Sequence, residues 1–111
     1  MKMKNALILH GTGGDSKENW FQWLKKELES KGYKVWVPDL PGADKPNIRN
    51  YNQYLLDNWS FDDETVMVGH SSGAVSILGL LNIFPKDKNL FQIIFFPPVQ
   101  SLPNLSLDTF L

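Results

Sequence analysis

Short apolar runs alternate along the chain with longer stretches that are apolar on one face only. Asn5 to His10 is such a run, and it ends at the glycine-rich segment HGTGGD, so it predicts a strand. From about Glu18 to Lys31, Trp20, Leu24 and Leu28 fall at steps of four with Phe21 beside them. Lys25, Lys26 and Glu29 lie mostly away from that stripe, which predicts an amphipathic helix. Asp15 is its expected N-cap, with Glu18 at capping-box spacing, and Gly32 its expected stop. Lys34 to Val37 predicts a second strand, closed by Pro38. A second helix is expected from about Asn47 to Trp59, where Ile48, Tyr51, Leu55 and Trp59 form one stripe.

Glu64 to Val68 predicts a third strand whose consecutive apolar residues suit a strand covered on both faces. GHSSG follows, then a third helix from about Ser72 to Phe84, apolar on most sides and so expected to be deeply buried. Phe91 to Phe96 predicts a fourth strand, and Val99 to Leu111 has no clear period. Alternating strands and helices indicate an α/β layer architecture around a parallel sheet. In strand order 2-1-3-4, strands one and three are neighbours whose helices leave to opposite faces. Ligands bind at such a switch point in open α/β sheets.

Composition narrows the function classes. The chain has 111 residues and a net charge of -1, which suits one domain large enough to bury a core. It has no cysteine, hence no disulfide scaffold and no thiolate metal site. No apolar run approaches the ~18 residues that span a bilayer. Balanced charge without a basic cluster speaks against nucleic acid as a partner. A cytoplasmic protein without membrane contact is expected.

The chemistry concentrates at Gly69-His70-Ser71-Ser72-Gly73, which fits G-x-S-x-G. A strand that turns sharply into a helix leaves one side chain exposed at the apex, and flanking glycines relieve the crowding there. Ser71 is the expected nucleophile, and Gly69 and Gly73 are the elbow glycines. The helix behind Ser71 points its N-terminal N–H groups at the site, so the Ser72 amide is an expected oxyanion donor. A second donor is expected from the loop after strand one, at Thr12 or Gly13. That loop matches neither G-x-x-x-x-G-K-[ST] nor G-x-G-x-x-G, so a phosphate cradle is disfavoured.

The run HGTGGDSKENWFQWLKKELESKGYKVWVPDLPG, followed by DDETVMVGHSSGAVSILGLL, resembles the small serine hydrolases of the retinoblastoma-binding protein 9 and YdeN type. These belong to the α/β-hydrolase superfamily. The resemblance covers about Asn5 to Leu81. It implies a three-layer α/β-hydrolase-like sandwich and hydrolysis of a small-molecule acyl ester or amide, with neither metal nor organic cofactor. Ser71 then matches the nucleophile, Gly69 and Gly73 the elbow glycines, and Thr12, Gly13 and Ser72 the oxyanion hole. The superfamily's order is serine, acid, histidine, yet no histidine follows His70. His10 is expected to anchor the first turn, and His70, next to Ser71, points away from its hydroxyl. The chain is therefore expected to be the C-terminally truncated, N-terminal part of such a hydrolase, weak or inactive alone. The alternative is a non-catalytic remnant that binds a ligand or partner. Its uncharged Phe91–Phe96 segment and apolar tail predict self-association.

Overall fold

In the computed structural model, residues 3–83 and 93–96 are described, the last four as backbone. Phe91 and Gln92 of the expected fourth strand, and the tail from Val99, lie outside the described residues. The elements are β1 (Asn5–Leu9), α1 (Phe21–Ser30), β2 (Lys34–Trp36), α2 (Ile48–Asn58), β3 (Thr65–His70), α3 (Ser72–Ile83) and β4 (Ile93–Phe96). All pairings are parallel and the order is β2-β1-β3-β4, as the alternation predicts. The centre is β1 against β3, from Asn5 opposite Thr65 to Leu9 opposite Gly69.

Side chains alternate across a strand, so the two central strands feed two cores. Ala6 and Ile8 of β1 and Val66 and Val68 of β3 pack with Trp20, Phe21, Leu24 and Leu28. Leu7, Leu9 and Met67 face the other way, onto Tyr51 and Leu55 of α2 and Ile77 and Leu80 of α3. One helix thus covers one face and two cover the other. Each fully buried Leu, Ile or Phe contributes about 2 kcal/mol relative to exposure, so both faces are needed to hold β1 and β3 at the centre. Among the described residues, no helix is long and apolar enough to cross a membrane.

Two helix ends follow the sequence closely. Asn47 caps α2, its Oδ1 accepting from the Asn50 amide at 3.1 Å. Gly32, at φ 91°, closes α1 in a Schellman turn, with Gly32 N donating to Glu29 O and Tyr33 N to Leu28 O. The start of α1 is a correction. The helix begins at Phe21 rather than near Glu18, and no side chain caps it. The Asp15 carboxylate instead accepts the Lys17 amide at 2.7 Å in a local turn. Asn19 sits at φ 53°, which breaks any helix that would begin before it. A second correction concerns α3. Val75, Leu78 and Ile83 are exposed, so this helix is buried toward the sheet and α2 and open on its outer side.

At the start of the sheet, Asn5 Oδ1 accepts from Thr65 Oγ1 at 2.9 Å and from Trp59 Nε1 at 3.1 Å. Trp59 also stacks on Trp36, with ring centroids 5.4 Å apart. Asp62 organises the turn into β3. Its carboxylate accepts from Glu64 N at 2.8 Å and from Asn5 Nδ2 at 3.3 Å.

Candidate active site

β3 runs straight into α3, and the single residue between them is Ser71. Its φ is 55°, in the left-handed region that a non-glycine residue occupies only at a cost of about 1 kcal/mol. The Ser71 carbonyl accepts from the amides of Ala74 at 3.0 Å and Val75 at 3.3 Å, which fastens the residue from behind. The residue itself is exposed.

The flanking glycines are required by contact. A Cβ on Gly69 would lie 2.7 Å from the backbone of Ala74 and 2.7 Å from Ile77 Cδ1. A Cβ on Gly73 would lie 2.6 Å from Leu9 O and 2.7 Å from His10 O. The first turn of α3 therefore rests directly on the end of β1, and only glycine allows that approach.

The HGTGGD loop joins the same crevice. A Cβ on Gly11 would lie 3.0 Å from Ser71 Cβ and 2.9 Å from His70 Cδ2. Gly14 N donates to Gly11 O at 3.1 Å, closing a four-residue turn with Gly13 at φ 70° in its third place. Thr12 is exposed at the tip of that turn. The two donors expected here differ. The Gly13 amide is committed to Ala43 O at 2.7 Å. The Thr12 amide has no acceptor among the described residues.

Neither histidine is free to serve Ser71 from its present place. His10 is 1% exposed. Its Nε2 accepts the Leu40 amide at 2.9 Å, which puts the proton on Nδ1, 2.9 Å from Gly11 O. It therefore ties the loop after β2 to the loop after β1, the anchoring role expected of it. His70 turns its ring edge-on to Trp20 and Phe21, with centroids 6.2 and 6.1 Å apart. Its Nδ1 is buried with no hydrogen-bond partner.

The loop after β2 supplies further support that the sequence did not advertise. Asp39 Oδ1 accepts the Ser16 amide at 2.8 Å. That amide, then the Ser16 hydroxyl, holds the Asp39 carboxyl below its ordinary value; the charge of Lys17 adds to this and burial works against it. Beneath Ser72, its Oγ and the Tyr51 hydroxyl are both buried without a partner in hydrogen-bond geometry. Burial raises the Tyr51 phenol above its ordinary value, partly offset by the neighbouring Ser72 hydroxyl.

A pocket of about 220 Å³ lies elsewhere, lined by Asn5, Lys34, Trp59 and Asp62. It sits at the amino ends of the strands. The Ser71 crevice lies at the carboxyl ends, where open α/β sheets take their ligands. Among the described residues, no group of three or more side chains is arranged to hold a metal ion.

The chain is similar to several known proteins. YdeN of Bacillus subtilis (strain 168), a hydrolase by name, is 33% identical over 110 residues, 96% of this chain and 58% of YdeN. Serine hydrolase RBBP9 of Rattus norvegicus is 26% identical over 76 residues, 66% of this chain and 41% of that protein. Methylesterase 1 of Arabidopsis thaliana is 28% identical over 105 residues, 82% of this chain and 40% of that protein. The crystal structure of the ydeN gene product from B. subtilis aligns with a TM-score of 0.68 at 28% identity, covering 83% of this chain and 50% of that one. The chain spans about half the length of the relatives it matches. Residues 6–105 match the alpha/beta hydrolase family, and with its parallel sheet and strand-to-helix serine turn the chain belongs to that family.

Proposed function

We propose that this chain carries the nucleophile and oxyanion portion of a serine hydrolase acting on acyl esters or amides. Ser71 attacks the carbonyl carbon. The Ser72 amide, at the positive end of α3, and the Thr12 amide receive the developing oxyanion. The observation that carries the reading is Ser71 itself, an exposed serine at φ 55° between a strand and a helix, flanked two residues away on each side by a glycine that tolerates no Cβ. An exposed, strained hydroxyl at a helix N-terminus supports a nucleophile better than a plain turn, because strain of this kind persists where function requires the placement.

A serine hydroxyl needs a base. With both His10 nitrogens engaged and the His70 ring turned to Trp20 and Phe21, neither histidine of this chain is placed to act as that base. The same engagement favours a second reading, in which the chain binds an acyl ligand without turning it over. Prolonged reaction with a fluorophosphonate probe, followed by peptide mapping, tests the first. The expected result is slow modification at Ser71 ahead of every other serine, abolished by Ser71→Ala. Labelling spread evenly over the serines would leave ligand binding as the function. Turnover of p-nitrophenyl acetate is expected to be on the order of 10⁴-fold below that of an enzyme with a full triad. Ordinary enzyme rates that vanish in Ser71→Ala would instead put the base within this chain, at His10.

A further inference from the structure

Two successive residues of α2 meet two serines of α3. Asn52 Oδ1 accepts from Ser76 Oγ at 2.5 Å. One turn nearer the start of α3 stands Ser72, whose Oγ is buried and makes no hydrogen bond among the described residues. The Tyr51 hydroxyl is buried and equally without one. The two are neighbours, since the Ser72 hydroxyl works against the rise that burial imposes on the Tyr51 phenol. An unpaired buried hydroxyl is costly, and two side by side are each other's nearest remedy.

Tyr51 is a rigid support. It is fully buried, in the cluster of Leu7, Leu9, Met67 and Ile77, and such packing fixes the torsions of its side chain. A phenylalanine would fill the same cluster, so the hydroxyl is the part that packing does not use. The Tyr51 amide donates to Asn47 O at 2.9 Å, in the first turn behind the α2 cap. Asn47 ends the loop whose Ala43 O takes the Gly13 amide and whose Leu40 amide meets His10. The stretch from Leu40 to Tyr51 thus reaches both donors proposed for the oxyanion. It reaches the Thr12 loop through Gly13 and His10, and the first turn of α3 through Tyr51. On the sheet side that turn is stopped by Leu9 O and His10 O, which close on Gly73.

We propose, on the hydrolase reading above, that Tyr51 is a positioning residue whose hydroxyl pairs with Ser72 Oγ and thereby aims the Ser72 amide at the oxyanion. The phenol, the better acid, donates and Ser72 Oγ accepts. An amide serves an oxyanion only from about 2.7–3.1 Å, so the place of this one turn decides how well the donor works. Hydrogen bonds that serve catalysis are often long before substrate binds and tighten in the complex. The two hydroxyls stand outside bonding geometry here, and the pair closes as Ser71 reacts.

The test compares the 111-residue chain with Tyr51→Phe, which keeps the ring in its cluster. Each is treated with a fluorophosphonate, so that Ser71 Oγ bonds to phosphorus while fluoride and the hydroxyl proton leave. Modification of Ser71, followed by mass spectrometry, is expected to slow by about tenfold in Tyr51→Phe. In isotope-labelled protein the Ser72 amide proton is expected to move downfield on modification of Ser71, and by much less in Tyr51→Phe. Tyr54→Phe removes a hydroxyl from the same helix, where its ring lies against Trp36, and is expected to change neither reading. Ser72→Ala removes the same contact without touching the core, and decides the matter if Tyr51→Phe does not fold. It is expected to match Tyr51→Phe, and the double change to be no slower than either single one. A lower unfolding midpoint in Tyr51→Phe with the Ser72 shift of the adduct intact, or equal slowing in Tyr54→Phe, overturns the proposal and leaves the hydrolase reading standing. Labelling spread evenly over the serines overturns both.

Discussion

At Ser71 two opposing local effects meet. The residue holds φ 55°, which any Cβ makes costly, while Gly69 and Gly73 sit where any Cβ collides. Ser71→Gly removes the penalty and is expected to raise the free energy of unfolding by about 0.5–1 kcal/mol. Gly73→Ala places a methyl 2.6 Å from Leu9 O and is expected to lower it by about 2–4 kcal/mol. Urea denaturation of the two variants decides; a loss of stability in Ser71→Gly would show that the turn is not strained. This much of the site was legible in the sequence, because the constraint falls on residue identity itself: glycine, serine and glycine at fixed spacing. That the Gly13 amide is engaged while the Thr12 amide is left open was not. It rests on Ala43 O, supplied from a loop thirty residues further on that carries no periodic signal.

Elements were legible where an apolar stripe repeated. Trp20, Leu24 and Leu28 on α1, and Tyr51 and Leu55 on α2, are buried as their spacing predicts. The onset of α1 was not, because Asp15 has a second use open to any short acidic side chain, a turn closed onto its own backbone at Lys17. Nor was the exposure of α3. An all-apolar helix reads the same whether its outer flank meets protein or solvent. The α2–α3 contact carries a sharper expectation. A Cβ on Gly79 would meet Asn52 Nδ2 at 2.5 Å, while Asn52 Oδ1 accepts from the buried Ser76 hydroxyl. Gly79→Ala must displace that amide and is expected to cost about 1–3 kcal/mol. Because both changes act on one amide, Asn52→Ala with Gly79→Ala should cost less than the sum of the single changes. A double-mutant cycle by urea denaturation checks this, and strict additivity would show that the two helices do not share the contact.

For the molecule as a whole, the two loops above the carboxyl ends of the sheet form one body, joined by Leu40 N to His10, Gly13 N to Ala43 O and Ser16 N to Asp39. Asp39 gives this joint a pH dependence. Its carboxyl, ordinarily near 3.8, is held lower in the folded chain, first by the Ser16 amide. A depressed carboxylate contributes stability above its unfolded value, and that contribution is lost as pH falls through the folded one. Stability is therefore expected to decline below about pH 4, and Asp39→Asn to flatten that decline, as read from unfolding midpoints across an acid series. An unchanged slope in Asp39→Asn would assign the decline to other carboxylates. The central pairing has a consequence of another kind, in time. Asn5 meets Thr65 across sixty residues of chain, so the strand at the middle of the sheet is made first and gains its main neighbour late. Closing so long a loop is entropically costly, and structures dominated by such distant contacts fold slowly. A nascent chain that ends near Trp59 already carries β1 (Asn5–Leu9), with β3 not yet synthesised to pair with it and α3 not yet there to cover Leu7 and Leu9. The same arrangement that seats Ser71 against the end of β1 thus makes the ribosome-bound intermediate the species most in need of a chaperone.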